Sequence, residues 1–312
     1  MAVLVLGATG FIGPGVVRAL EAFGVEVVAA SRRGGLQGVA VDRCDTLQVR
    51  ALVRDRRIDT VIDLLAYTEA DTLPLLDALE GEVDRWVMAS SGDVYRNYEG
   101  LHKAAAPEPL LEPLTETAPL RHGRYPYRAD PPRTAASPEA WMDHYDKIPL
   151  EMALRARPGL SGTILRLPMV FGPQDRQRRF RWIVAPMSAG KARITVDPAW
   201  AAWRTTYGYV DDMAHALATA ALYVAAAGQT FNIGERDAPD HSTWLRRFAD
   251  TLDWRGEIES AAALSHSPIA ALDLGYPMAT DNRAFRDVCG WREPTPLAEA
   301  LARTADDEIA RG

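Results

Sequence analysis

Residues 2–13 read AVLVLGATGFIG, an apolar run followed at once by a glycine-rich turn. The run is typical of a short buried strand, and residues 11–23 repeat apolar side chains at helical spacing. Gly7, Gly10 and Gly13 therefore stand between a predicted strand and a predicted helix. Such a turn lets the backbone approach a pyrophosphate, whose charge is stabilised by free N–H groups and by the helix dipole. The stretch predicts a Rossmann-type domain that binds a nicotinamide dinucleotide.

The rest of the chain alternates continuous apolar runs with amphipathic segments. This alternation indicates a parallel sheet that is covered by helices on both faces. We predict an α/β fold with a Rossmann-like, doubly wound parallel sheet of about seven strands and a smaller interleaved α/β lobe for the substrate. Strands are expected at residues 2–6, 25–30, 39–41, 59–65, 85–89, 162–167 and 230–233.

The predicted nucleotide-binding domain comprises residues 1–168 and about 205–233, and the substrate lobe comprises about 169–204 and 234–312. Residues 100–137 are irregular and rich in Pro, Glu, Arg and Tyr, which is typical of a mobile or functional segment. We expect a helix to begin at Ser137, with the serine as its cap and Pro138 in its first turn.

Composition limits the partners of the chain. The formal charge of -7 argues against general binding to nucleic acid or to an anionic membrane. The chain contains no uninterrupted run of about 18 apolar residues, so we predict no membrane-spanning helix. The start of the chain lacks the pattern of an export signal, and the two cysteines lack metal-ligand spacing. We expect a cytoplasmic protein that binds a small molecule, with no metal, nucleic acid or membrane partner.

The end of the second predicted strand bears on the choice of dinucleotide. About 20 residues after the turn, an acidic side chain would bind the adenosine ribose of NAD. This chain has Ser31, Arg32 and Arg33 there instead. Guanidinium groups form charge-assisted bonds to phosphate, so the segment favours the 2′-phosphate of NADP(H), with NAD(H) as the alternative. A solvated basic loop is the other interpretation.

Several segments resemble the extended short-chain dehydrogenase/reductase superfamily, in its NAD-dependent epimerase/dehydratase group. Residues 41–43 are similar to the stretch that contacts adenine, and residues 61–66 to the strand that ends beside the nicotinamide ribose. Residues 89–95 resemble the serine segment, and residues 165–173 the segment that enters the substrate domain. The turn, the second strand and this resemblance together predict cofactor contacts from Gly7, Thr9, Gly10, Phe11, Ile12, Gly13, Ser31, Arg32, Arg33, Asp42, Arg43, Leu64, Leu65, Ala66, Lys147 and Pro168.

The resemblance also implies a catalytic serine, and a tyrosine four residues before a lysine on one helix. Ser91 takes the serine position, and Lys147 takes the lysine position in the stretch DHYDKIPLE at residues 143–151. Tyr145 is only two residues from that lysine, and Asp143 stands in the tyrosine position. Two residues on a regular helix are about 200° apart, which would turn Tyr145 away from Lys147. A kink at Pro149 could return it to the site.

We therefore expect Ser91 to hold a substrate oxygen, Tyr145 to exchange its proton and Lys147 to orient the ribose, with Asp143 as a competitor of Tyr145. Lysine is scarce in this chain, since only Lys103, Lys147 and Lys191 occur among 35 basic residues. A stray surface lysine is the other interpretation of Lys147.

Substrate contacts are predicted for Arg128, Met169 and Arg204. The resemblance implies that members acting on nucleotide sugars usually have an asparagine where Met169 stands. It also places Arg204 one residue from the position of a family arginine that contacts the diphosphate of the substrate. The predicted function is that of an NAD(P)-dependent oxidoreductase or epimerase/dehydratase, acting on a carbinol or carbonyl carbon of a sugar-nucleotide-like compound or secondary metabolite. A redox-silent NADP(H)-binding sensor or scaffold is the alternative, and the resemblance also implies a homodimer.

Overall fold

The structure is a computed structural model that describes residues 1–35, 38–261 and 271–312. Its central sheet consists of the parallel strands β1 (Ala2–Leu6), β2 (Glu26–Ser31), β3 (Val39–Ala40), β4 (Thr60–Asp63), β5 (Arg85–Ser91), β6 (Ser161–Leu167) and β10 (Thr230–Asn232). The seven strands lie in the order β10-β6-β5-β4-β1-β2-β3. The fold predicted from the sequence is confirmed.

Helices cover both faces of the sheet because its side chains point alternately to either side. In β1, Val3 and Val5 join one apolar cluster, and Leu4 and Leu6 join the other. The first cluster includes α1 (Gly13–Ala22) and α8 (Val210–Leu222), and the second includes α2 (Thr46–Asp55), α3 (Glu69–Leu79) and α5 (Lys147–Arg155).

The remaining elements lie outside the central sheet. They are β7 (Met169–Phe171), β8 (Arg193–Val196), β9 (Tyr207–Tyr209), β11 (Glu257–Ser260), α4 (Asn97–Leu101), α6 (Arg181–Ser188), α7 (Pro198–Ala202), α9 (His241–Thr251), α10 (Arg283–Cys289) and α11 (Leu297–Ala310). Two small parallel pairs, β7 with β9 and β8 with β11, stand apart from the central sheet. The predicted division into two domains stays a prediction, and residues 262–270 of the predicted lobe lie outside the described residues.

The prediction of a helix that begins at Ser137 is wrong. The Ser137 hydroxyl does accept a hydrogen bond from the backbone N–H of Glu139 at 3.2 Å, but this forms only a local turn. A short 3-10 segment follows at Ala140–His144, and α5 begins at Lys147 with Asp146 as its cap. The Asp146 carboxylate accepts from the N–H of Ile148 at 3.2 Å, which satisfies an amide that the first helical turn leaves without a partner.

Of the described residues, no helix has the length and apolar character needed to cross a membrane.

Candidate active site

The glycine turn joins β1 to α1 at the carboxyl edge of the sheet. Gly7 has a φ of 92°, in the region that glycine adopts readily, and its N–H donates to the carbonyl of Ala30 at 3.1 Å. A Cβ on Gly13 would lie 2.3 Å from the carbonyl oxygen of Gly7. The turn therefore folds tightly against the start of the helix, and a larger residue at position 13 has no room.

This turn fits the pyrophosphate of a dinucleotide. The cap residue of α1, Ile12, offers no side-chain hydrogen bond to the first turn of the helix. Thr9 and Gly10 are exposed, while Phe11 and Ile12 are half-buried. N–H groups at a helix start that lack a side-chain cap, together with the helix dipole, are suited to bind an anion.

The end of β2 lies beside the turn, since Gly7 and Ala8 both donate to Ala30. The Ser31 hydroxyl donates to the carbonyl of Gly34 at 2.9 Å, which shapes the following turn. Arg32 and Arg33 are exposed, and within the described residues neither guanidinium has an ion-pair partner.

Two further predicted contacts have different surroundings. Arg43 is 7% exposed, and its guanidinium donates at 2.5 Å to the carboxylate of Asp63, the last residue of β4. The same carboxylate accepts from the N–H of Leu65 at 2.9 Å, so the pair shapes the loop at Leu64, Leu65 and Ala66. Asp42 is exposed and caps the N–H of Cys44 at 3.0 Å. Contact of Asp42 and Arg43 with adenine stays a prediction.

A cavity of about 510 Å³ opens between the carboxyl edge of the sheet and the outer elements. Ser91, Tyr145, Pro168 and Met169 are predicted site residues that line it. The Ser91 oxygen accepts from the N–H of Asp93 at 3.2 Å, which leaves its own hydrogen for another partner. Further aromatic side chains in the lining are Tyr98, Tyr127, Trp141 and Trp203.

Tyr145 reaches the cavity from an extended segment, because the residue precedes the helix. Its φ and ψ of -66° and 126° are extended, and it forms an antiparallel bridge with Thr68. The expectation that Tyr145 and Lys147 point apart on one helix is therefore wrong. The predicted kink at Pro149 is also absent. This proline is the third residue of α5, where a missing N–H removes no helical hydrogen bond.

Lys147 is the first residue of α5 and is 3% exposed. Its ammonium donates to the carbonyls of Ala66 at 2.6 Å and Ala89 at 2.7 Å. An ammonium has three donors, so one remains for a ribose hydroxyl. The Nζ atom lies 5.5 Å from the centre of the Tyr145 ring. Burial lowers the pKa of Lys147 to about 8, partly countered by the negative charge of Asp93.

Asp93 is a residue of this site that the sequence analysis missed. Its carboxylate is 5% exposed, lines the cavity and accepts from the Tyr145 hydroxyl at 2.8 Å. Burial and the charge of Asp93 raise the pKa of Tyr145 well above its usual value. The signal was present, because Asp93 belongs to the serine segment itself, two residues after Ser91.

Three other predicted residues lie away from the cavity lining. Asp143 is buried and accepts from the N–H groups of Ala129 and Arg133, and the hydrogen bond from Ala129 is the main cause of its lowered pKa. Arg128 lies over the Tyr125 ring, 4.0 Å from its centre, and donates to the backbone of Asp143. Arg204 borders a separate surface cleft. Asp143 thus holds the 125–133 loop together, and the structure brings neither arginine to the cavity.

The sheet and the glycine turn define an α/β dinucleotide-binding protein of the extended short-chain dehydrogenase/reductase class. Residues 3–234 match the sequence profile of the NAD dependent epimerase/dehydratase family, and the chain belongs to that family. Because its family consists of epimerases and dehydratases, the chain is an enzyme, but the family name covers more than one reaction.

Solved structures agree in fold over the whole chain. The UDP-glucose 4-epimerase of Thermus thermophilus, in complex with NAD, is 24% identical with a TM-score of 0.65, covering 100% of both chains. A short-chain dehydrogenase/reductase superfamily protein of Agrobacterium tumefaciens with bound NAD is 21% identical with a TM-score of 0.68, covering 100% of this chain and 98% of that one. At these identities the likeness shows the fold alone.

A curated relative is more similar over a shorter stretch. The 2'-dehydrokanamycin reductase of Streptomyces kanamyceticus is 41% identical over 96 residues, which is 28% of this chain and 27% of that protein. The similarity therefore spans about a quarter of the relative's length.

Proposed function

We propose that this enzyme uses NADP(H) to reduce or epimerise a small molecule at a carbonyl or carbinol carbon. The observation that carries the proposal is the convergence of Ser91 and Tyr145 on one cavity, with the Lys147 ammonium 5.5 Å from the tyrosine ring. The name of the Streptomyces kanamyceticus relative, a reductase, favours net reduction.

Each residue has a role that follows from its chemistry. A nicotinamide dinucleotide, when bound, supplies or accepts hydride. Ser91 donates a hydrogen bond to the substrate oxygen, which polarises a carbonyl. Tyr145 exchanges a proton with that oxygen, and Lys147 binds the ribose through its remaining donor. Below about pH 8 the Lys147 ammonium stays charged.

The cavity favours a secondary-metabolite substrate over a nucleotide sugar, since the arginine in its lining, Arg179, is already paired with Asp175. Met169 lines the cavity, and a thioether is a poor partner for a phosphate-linked group. Arg204, the candidate for a diphosphate contact, donates from its Nε to the carbonyl of Ala238 at 3.1 Å, at the separate cleft. Aromatic walls suit the flat apolar faces of a ring.

Replacement of the proton-exchanging group tests the proposal. The purified chain is mixed with NADPH and a panel of ketones and keto-sugars, and loss of reduced-nicotinamide absorbance is followed. Tyr145→Phe should lower kcat by about 100-fold or more, because it removes the acid and keeps the ring. Tyr223→Phe is the control, since Tyr223 is 47% exposed and follows α8, outside the cavity lining.

A Tyr145→Phe enzyme within about threefold of wild type would refute the proposed role. Tight dinucleotide binding without turnover of any carbonyl compound would favour the redox-silent alternative instead.

A further inference from the structure

Asp93 is held in a fixed position at the floor of the cavity. Its N–H donates to the Ser91 oxygen, and its carbonyl accepts from the Arg121 guanidinium at 3.0 Å. Its carboxylate Oδ2 accepts from the hydroxyls of Tyr145 at 2.8 Å and Tyr127 at 3.0 Å. Two phenols therefore share one carboxylate oxygen.

The other oxygen of this carboxylate is unusual. Oδ1 is buried and has no hydrogen-bond partner among the described residues, which also give Asp93 no salt bridge. A buried carboxylate oxygen without a donor is costly, and the Lys147 ammonium acts on Asp93 through its charge and not through a contact ion pair. The titratable groups that feel the charge of Asp93 are Lys147, His102, Tyr98, Tyr127 and Tyr145.

The contact fixes the direction of the Tyr145 hydrogen. A carboxylate only accepts, so the phenol donates to Asp93 and presents the lone pairs of Oη elsewhere. Those lone pairs suit a substrate hydroxyl as donor. A phenol in this state can accept a proton only while it passes its own proton on.

We propose that Asp93 is the proton acceptor behind Tyr145, so that the tyrosine relays the proton instead of storing it. The inference rests on the proposed function. When a carbinol is oxidised, the substrate O–H bond breaks and its proton passes to Tyr145 Oη. The Tyr145 proton passes to Asp93 Oδ2 in the same step, and the two electrons leave as hydride to the oxidised nicotinamide dinucleotide. Reduction of a carbonyl runs the same transfers backwards from protonated Asp93.

The coupling is tested without substrate or cofactor, by titration of tyrosinate absorbance. Removal of the charge at position 93 should let Tyr145 ionise at lower pH, since the negative charge of Asp93 and the hydrogen bond to it both oppose phenolate. We expect the Asp93→Asn curve to shift to lower pH than wild type. Subtracting the Tyr145→Phe curve from the wild-type curve, and the double-variant curve (Asp93→Asn with Tyr145→Phe) from the Asp93→Asn curve, isolates the contribution of Tyr145 among the ten tyrosines in each background. A merely structural role would leave that part unmoved, and an unmoved part overturns the proposal.

Kinetics supply the second measurement. Asp93→Asn should lower kcat about 100-fold with the KM for dinucleotide unchanged, because proton transfer is lost while cofactor binding stays. Asp212→Asn is the matched control, since Asp212 is also a buried carboxylate with one unpartnered oxygen among the described residues, and it lies on α8 outside the cavity lining. A kcat within about threefold of wild type in Asp93→Asn overturns the relay. If the wild-type chain turns over no substrate, the proposed function fails and the titration still decides the coupling.

Discussion

Arg32 and Arg33 are the residues through which the choice between NADP and NAD is best tested. Both are exposed beside the turn that fits the pyrophosphate, and within the described residues neither is paired with an acid. Replacement of both by alanine should weaken NADPH binding at least about tenfold, because a hydrogen bond to a charged group contributes about 1.5–3 kcal/mol. NADH binding should change little. Fluorescence titration of both dinucleotides measures this.

Arg56→Ala controls for the loss of surface charge. Arg56 is exposed and follows α2 at the amino edge of the sheet, away from the turn. Equal weakening of NADPH and NADH binding in the double variant would contradict a 2′-phosphate contact and would favour a solvated basic loop.

At this scale the sequence predicted which residues to inspect, but not how they are oriented. The resemblance assigns roles to Ser91, Tyr145 and Lys147 but none to Asp93, although Asp93 lies in the same segment as Ser91. The contact between Asp93 and Tyr145 joins residues 52 positions apart, and sequence spacing carries no information on such a contact.

Among the elements, the start of α5 matters most for the site. Its cap, Asp146, stands between Tyr145, which is extended, and Lys147, which begins the helix. Asp146 accepts from the guanidinium groups of Arg121 and Arg124 as well as from its own helix. Although burial raises the pKa of Asp146, the hydrogen bond and charge of Arg121 lower it overall. The Arg121 side chain is 1% exposed, so it depends on this carboxylate for compensation.

We predict that Asp146→Ala lowers the free energy of unfolding by about 3–5 kcal/mol, because it leaves the Arg121 charge buried and unpaired. The helix start should shift as well, with loss of activity. Urea denaturation followed by circular dichroism gives the stability. Asp45→Ala is the control: Asp45 is an exposed cap of α2 that accepts from Gln48, and its loss should cost only about 1 kcal/mol. Similar losses in the two variants would show that the buried ion pair contributes nothing beyond capping.

The sequence predicted the seven strands of the sheet because buried parallel strands are continuous apolar runs. It failed between residues 137 and 147, where Ser137 and Pro138 are typical of a helix start that the chain does not make. The better signal was Asp146 followed by Pro149 in the first turn, which also fits a helix start. The two competing caps, Ser137 and Asp146, are nine residues apart, and ion pairs decide between them. Asp146 gains the ion pairs with Arg121 and Arg124, whereas Ser137 gains none of that kind within the described residues.

For the whole molecule, the junction between α8 and the C-terminal segment contains buried acids. Burial raises the pKa of Glu235 to about 7 and that of Asp212 to about 6, and nearby Glu293 adds to both effects. A raised folded-state pKa means that the folded chain binds more protons than the unfolded chain between these values and the ordinary range. Stability from Glu235 is therefore full below about pH 4.5 and is lost as the pH rises through about 7.

We expect Glu235 to contribute a fall in the free energy of unfolding of roughly 3 kcal/mol at most as the pH rises from 5 to 7. His241 opposes this fall, because burial lowers its pKa to about 4 and the neutral imidazole favours folding as the pH rises. Relative to wild type, Glu235→Gln should therefore change the slope towards higher stability at pH 7, whereas the raised pKa of Asp212 acts in both proteins. Urea denaturation across that range is the measurement. Glu257→Gln, at an exposed acid of β11, should leave the slope as in wild type. An unchanged slope in Glu235→Gln would refute the assignment.

The extended segment that carries Tyr145 also matters for how such chains are recognised. A motif filter that demands tyrosine and lysine four positions apart assumes that both stand on one helix. Here the tyrosine precedes the helix, bridges to Thr68 and still brings its ring within 5.5 Å of the lysine ammonium. The filter would discard this chain and any homologue built the same way, so an inventory of the family based on that spacing would be too small.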